Sequence, residues 1–124
     1  MKESKETPQV LGGKGERIAA AFLRKKGYLI LETGFRYGRG EIDIIARDGD
    51  YLVFVEVKTR RDLHFGGAEE AVDEKKRQQI RKVALGYLYR RHCPPPFCRF
   101  DVVAVCPDSG TNRYTVRHFA NAFE

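Results

Sequence analysis

At 124 residues the chain has room for one domain and a modest core, and 42 % of it is hydrophobic. It contains no run of 18 apolar residues, and its first residues, MKESKETPQ, lack the apolar centre of a signal peptide. Composition therefore excludes a membrane-spanning helix and points to a cytoplasmic protein. A net charge of +6 suits a polyanionic partner, because lysines and arginines that neutralise phosphates release counterions. Solubility alone explains the same excess, so charge does not settle the partner.

Taken in order, residues 1–12 are polar, with Pro8 and then the Gly12-Gly13 pair at the boundary, which predicts a flexible tail ahead of a single domain over residues 13–124. Residues 13–26 predict a helix, with Ile18 and Phe22, and Ala19 and Leu23, at i, i+4 spacing and Gly27 as its stop. Glu16 lies in its first turn, where an acid favours the helix N-terminus by about 0.3–1 kcal/mol. Residues 28–32 predict a short strand. Residues 33–40, TGFRYGRG, predict a Gly-rich loop whose Arg36 and Arg39 either hold phosphates or are solvated charges on a connector.

The stretch from Gly40 to Arg60, GEIDIIARDGDYLVFVEVKTR, predicts a β-hairpin. Its strands are Glu41–Arg47 and Tyr51–Lys58, with Asp48-Gly49 as the turn. That turn pairs Arg47 with Asp50, Asp43 with Phe54 and Glu41 with Glu56. Period-two alternation then puts Glu41, Asp43 and Ile45 on the same face as Leu52, Phe54, Glu56 and Lys58. Asp43 and Glu56 become diagonal neighbours, roughly 7–8 Å apart at the backbone. Carboxylates beside apolar neighbours are costly unless paired or bound to metal. Three acids and one lysine on such a face ask for a cation, and an oxygen-rich site suits Mg²⁺ or Mn²⁺. An edge hairpin with one solvated face is the bland alternative.

Beyond the hairpin, Arg60, Arg61 and His64 fall in a loop, and a lone histidine there is more often incidental than a general base. Residues 68–91 predict the longest helix, with Val72, Ile80, Val83, Ala84, Tyr87 and Leu88 forming its apolar stripe. Its remaining faces are strongly basic, and Lys75 and Lys76 near its start are candidates for phosphate contact. Pro94-Pro95-Pro96 ends it. Residues 99–106 predict a buried strand on which Asp101 either extends the acidic cluster or pairs with an arginine. Residues 107–112 predict a turn, and residues 113–119 a last strand with a frayed end. Three cysteines, Cys93, Cys98 and Cys106, argue against a disulfide framework, and their spacing matches no recognised zinc site.

Asp43, twelve residues, then Glu56-Val57-Lys58 resembles the PD-(D/E)XK nuclease signature. With the flanking GEID and FVEVKTR, and a Gly-Glu opening to the preceding helix, the chain resembles the bacterial YraN-like family of predicted endonucleases from about Gly13 to Val105. That family is similar in fold to archaeal Holliday junction resolvases. One departure is that Ile42, not a proline, precedes Asp43. The resemblance implies an α/β fold with a restriction-endonuclease-like core, a mixed central sheet flanked by helices. The predicted order α-β-β-β-α-β-β agrees with it, since a long helix between strands provides a crossover.

The resemblance further implies metal-dependent hydrolysis of phosphodiester bonds in nucleic acid, DNA ahead of RNA, with branched or structured DNA as one candidate substrate. Asp43 and Glu56 would hold Mg²⁺ or Mn²⁺ with the Val57 carbonyl, Glu16 would support the metal or its water, and Lys58 would act on the attacking water. Arg36, Arg39, Arg60, Lys75 and Lys76 are the expected nucleic-acid contacts. A resolvase-like role would require a homodimer to cut two strands symmetrically. Two other readings stand beside this one: a non-catalytic nucleic-acid-binding module on the same fold, and a protein-interaction domain whose basic surface serves solubility.

Overall fold

The computed structural model describes residues 8–59, 72–91, 97–108 and 110–124. Helix α1 spans Pro8–Lys25, followed by strands β1 (Leu29–Tyr37), β2 (Gly40–Asp48) and β3 (Tyr51–Thr59), helix α2 (Glu74–Arg91), and strands β4 (Phe97–Pro107) and β5 (Tyr114–Phe123). The five strands form one sheet in the order β1-β2-β3-β4-β5. Every neighbouring pair is antiparallel except β3–β4, which is parallel. A parallel pair cannot be closed by a tight turn. The connection that contains α2 supplies the crossover.

The two faces of the sheet carry separate apolar clusters. Ala19, Ala20 and Leu23 of α1 cover Ile44, Ala46, Val53, Val55, Val103 and Val105. Ile80, Val83, Ala84 and Tyr87 of α2 cover Ile42, Ile45, Leu52, Phe54 and Val102. Each such side chain, taken fully out of water, contributes about 1.5–3 kcal/mol. A row of rings runs across the α2 side: Phe123 stacks on Phe100 at 5.1 Å, Phe100 on Phe54 at 5.5 Å, and Phe54 meets Tyr87 edge-on at 6.1 Å.

Several local expectations are corrected. Helix α1 begins at Pro8, earlier than Gly13, while residues 1–7 of the expected tail lie outside the described residues. Its C-terminus closes as expected, with the Tyr28 N–H donating to the Leu23 carbonyl and the Gly27 N–H to that of Arg24. The expected Gly-rich loop is mostly strand: β1 runs on to Tyr37 and only Gly38-Arg39 turns into β2. Helix α2 begins at Glu74, not Ala68, because Asp73 caps it through a 2.9 Å bond from the Lys76 N–H. Residues 68–71 lie outside the described residues. Strand β5 continues to Phe123, whose ring is buried, so the chain end is anchored and not frayed.

The β2–β3 register also differs from the expected one. Asp48 pairs with Tyr51 and Ile45 with Phe54, so the turn is Gly49-Asp50 and Asp43 does not face Phe54. Gly49 has φ +61° at the first turn position, as does Gly38 in the preceding hairpin. This is the Gly-X pattern that two-residue hairpin loops use. Alternation also breaks near Asp43. Ile42 and Ile45 belong to the α2-side cluster, whereas Ile44 belongs to the other. The expected common face for Glu41, Asp43 and Ile45 is therefore not a simple period-two row.

Gly40 sits beneath α2, where an added Cβ would collide with the Val83 side chain and lie 3.1 Å from Gln79 Cγ. Val83 is buried and has no room to give. Gly40→Ala is expected to destabilise the fold by about 1–3 kcal/mol, the usual cost of overpacking. An unchanged urea midpoint would contradict this.

Candidate functional site

The described β2–β3 pairs end at Ile44–Val55, and four carboxylates gather just beyond that point. Glu16 comes from α1, Glu41 and Asp43 from β2, and Glu56 from β3. Gly15 lets α1 approach the end of β3, since a Cβ there would strike the Thr59 hydroxyl. One oxygen from each of Glu16, Glu41 and Asp43 lies within 4.8 Å of the others. The Val57 N–H donates to Asp43 Oδ2 at 2.8 Å. Asp43 thereby takes a backbone donor of β3 and is held in one orientation.

Two lysines attend Glu56. Lys58 Nζ lies 3.4 Å from Glu56 Oε2, and Lys76 Nζ, reaching from α2, lies 3.9 Å from the same oxygen. Glu56 is one of two buried acids among the described residues.

The electrostatics are those of crowded acids. Burial, then the charge of Asp43 and a hydrogen bond with it, push the Glu16 carboxyl up to about 7, with smaller contributions from Glu41 and Glu56. Burial likewise raises Asp43, against the Val57 N–H and Glu16, which lower it. Burial and the Asp43 charge raise Glu56, with Lys76 and Lys58 opposing. At neutral pH these groups are held together against their mutual repulsion. All three clustered donors are carboxylate oxygens, the donor set that Mg²⁺ and Mn²⁺ prefer, and a cation would relieve the repulsion. The residues present therefore fit a hard divalent ion.

The other expected contacts are distributed unevenly. Arg36 is exposed but turned to Glu41 at 3.4 Å. Arg39 stands exposed at the β1–β2 turn, and Lys75 is exposed in the first turn of α2. Lys76 is engaged with Glu56, as described. Arg60 and His64 lie outside the described residues, as does Cys93. Cys98 is exposed and Cys106 buried, both away from the acidic group. Glu41 joins the acidic group, as its i, i+2 spacing to Asp43 suggested. One feature escaped the sequence reading. Lys76 reaches Glu56 across 20 residues of sequence, for which no local signal exists.

Asp101 takes the second of its two readings. It is fully buried and accepts bonds from Arg99 Nε and Nη2 at 2.9 Å each, from the Asn121 N–H at 2.9 Å, and from His118 Nε2 at 2.7 Å. It is no part of the acidic group.

A five-stranded mixed sheet with a helix on each face, and acids gathered where two central strands part, define a mixed α/β protein compatible with a restriction-endonuclease-like fold. The chain belongs to the uncharacterised protein family UPF0102, whose model matches residues 15–105. It is 49 % identical over 115 residues to a UPF0102 protein of Pelobacter propionicus, covering 91 % of this chain and 81 % of that one. It is 47 % identical over 113 residues to a UPF0102 protein of Symbiobacterium thermophilum, covering 91 % and 95 %. A UPF0102 protein of Chlorobium limicola is 44 % identical over 120 residues, covering 94 % and 93 %. No helix among the described residues is long and apolar enough to cross a membrane.

Proposed function

We propose that this protein is a metal-dependent nuclease of the cytoplasm that hydrolyses phosphodiester bonds in nucleic acid, DNA ahead of RNA. The observation that carries this reading is the meeting of Glu16, Glu41 and Asp43 beside a buried Glu56 that two lysines flank. Asp43, Glu56 and Glu16 hold Mg²⁺ or Mn²⁺, with Glu41 joining them and the Val57 carbonyl as a further oxygen donor. When bound, such an ion polarises a phosphoryl oxygen and lowers the pKa of a coordinated water. The Val57 N–H keeps Asp43 oriented for this task. Lys58 positions the attacking water and assists removal of its proton, and the charge of Lys58 opposes the build-up of negative charge on the phosphate. Lys76 adds a second positive charge on the α2 side.

The test is cleavage of labelled single-stranded, duplex, flapped and branched DNA and structured RNA, by wild type and Lys58→Ala, in Mn²⁺, Mg²⁺ or EDTA. The expected result is metal-dependent cutting by wild type that falls by about 10²–10⁴-fold in Lys58→Ala. A wild-type protein inert on every substrate in both metals would sink the nuclease reading. A gel shift without cutting would then support a non-catalytic nucleic-acid-binding module.

A further inference from the structure

A groove of about 570 Å³ runs between the β1–β2 turn and the first half of α2. Its rim is cationic: Arg39 on the turn, and Lys75 and Lys82 on the helix, all exposed. No carboxylate pairs with any of the three among the described residues. The exposed surface between these charges is largely apolar, and Tyr37 and the buried Val83 share the lining with Gln78 and Gln79. Tyr37 is 37 % exposed, its ring resting on Gly86 with the Arg90 guanidinium 5.2 Å from its centroid.

Two lining residues of the groove are chain neighbours of the acidic site. Gly40 lines the groove and Glu41 follows, while Lys75 lines it and Lys76, next in sequence, reaches Glu56.

We infer that this groove binds an unpaired segment of nucleic acid, with phosphates at Arg39, Lys75 and Lys82 and a base against Tyr37. The reasoning is chemical. A duplex keeps its base faces stacked inside and shows only base edges in its grooves, so its bases cannot lie flat on an apolar lining. An unpaired strand offers both a charged backbone and bases with an apolar face, which is what cationic rims with aromatic platforms accept. The inference rests on the phosphodiester reading of the adjoining site and adds the strand form that the site receives.

The test separates the two. Binding of the full chain to a fluorescein-labelled 15-nucleotide unpaired strand, and to the corresponding duplex, is followed by anisotropy in EDTA, where no cutting occurs. The unpaired strand should bind more tightly than the duplex. Arg39→Gln/Lys75→Gln/Lys82→Gln should weaken it at least tenfold and flatten the log–log salt slope by about 2, the change for three lost phosphate contacts on a single strand. Tyr37→Ala should weaken it by about fivefold or more. A matched charge control, Lys25→Gln/Arg113→Gln/Arg117→Gln, should stay within about threefold of wild type, and circular dichroism should show every variant folded. Tighter duplex binding, or a triple rim variant no weaker than the control, would overturn the groove assignment even if wild type cuts DNA with metal. A wild type that neither binds nor cuts would remove the nuclease reading as well.

Discussion

Replacing Asp101 with Ala is expected to destabilise the fold by roughly 3–5 kcal/mol, the cost of stranding a buried charge. Asp101 is fully buried and Arg99, its main partner, is mostly so. Arg99 would keep Asp48, at 3.0 Å, and the Tyr28 hydroxyl, at 2.6 Å, but would lose both bonds to the carboxylate. The backbone would suffer too. The β4–β5 register shifts between Phe100 and Val102, and Asn121, at φ 55°, turns its N–H to Asp101. His118, which Lys26 contacts through Nδ1 at 2.9 Å, would lose its acceptor. For a chain of this size the melting temperature should fall by roughly 10–20 °C. Asp101→Asn keeps an acceptor for the Asn121 N–H and should lose less. A melting temperature within 3 °C of wild type for Asp101→Ala, on the order of 1 kcal/mol, would show that the network is dispensable.

The same group sets the acid limb of stability. Burial alone would raise the Asp101 carboxyl, but bonds from His118, Arg99 and the Asn121 N–H hold it below its ordinary value. A lowered folded-state pKa means that the unfolded chain binds more protons. Its contribution is therefore present above the usual carboxylate range and is lost as pH falls below it. Asp101→Ala should flatten that acid limb.

Asp43→Asn is expected to do the reverse at the candidate site: the metal-free fold gains stability while metal binding and cleavage are lost. Glu16, Asp43 and Glu56 all have raised folded-state pKa values, so the folded chain holds the extra protons. Stability must then decline as pH rises from the ordinary carboxylate range towards about 7, where Glu16 loses its proton in the folded state. The amide removes one charge from that group, and its oxygen can still accept the Val57 N–H. The gain at pH 7.5 should be about 0.5–2 kcal/mol, the usual scale when a functional strain is relieved, and should shrink at pH 5. Conversely, Mg²⁺ or Mn²⁺ at a hundredfold excess over its Kd should stabilise wild type by about 2.7 kcal/mol and leave Asp43→Asn unmoved. Thermal melts at pH 5 and 7.5, with and without metal, decide this. Equal metal stabilisation of both proteins would place the ion elsewhere.

Most elements were legible in the sequence because their signals are local. The α2 stripe from Ile80 to Tyr87, the Val-rich β4 and the paired hairpin strands each follow from periodicity within one segment. Asp43, Glu56 and Lys58 were picked out by residue type and spacing, and Glu16 by the family resemblance. The elements that were misjudged lack such a signal. TGFRYGRG has the composition of a loop, yet it is largely strand because Phe35 packs against the α2-side core and pairs with Ile42. Phe123 looked like part of a frayed end, yet it stacks on Phe100 from β4.

Local sequence was enough to single out the candidate residues, the hairpin that bears them and the helix that crosses over it. Those features depend on residue type and on contacts a few positions apart. Only the tertiary structure decided the rest. Alternation has a period of two, so it cannot distinguish a register from one displaced by two, and the pairing of Ile45 with Phe54 had to come from the position of Gly49 in the turn. Lys76 beside Glu56, Glu16 beside Asp43, and Asp101 within its cage of Arg99, His118 and Asn121 join distant parts of the chain. Such contacts exist because packing two helices onto opposite faces of one sheet brings those positions together, and no short stretch of sequence encodes that placement.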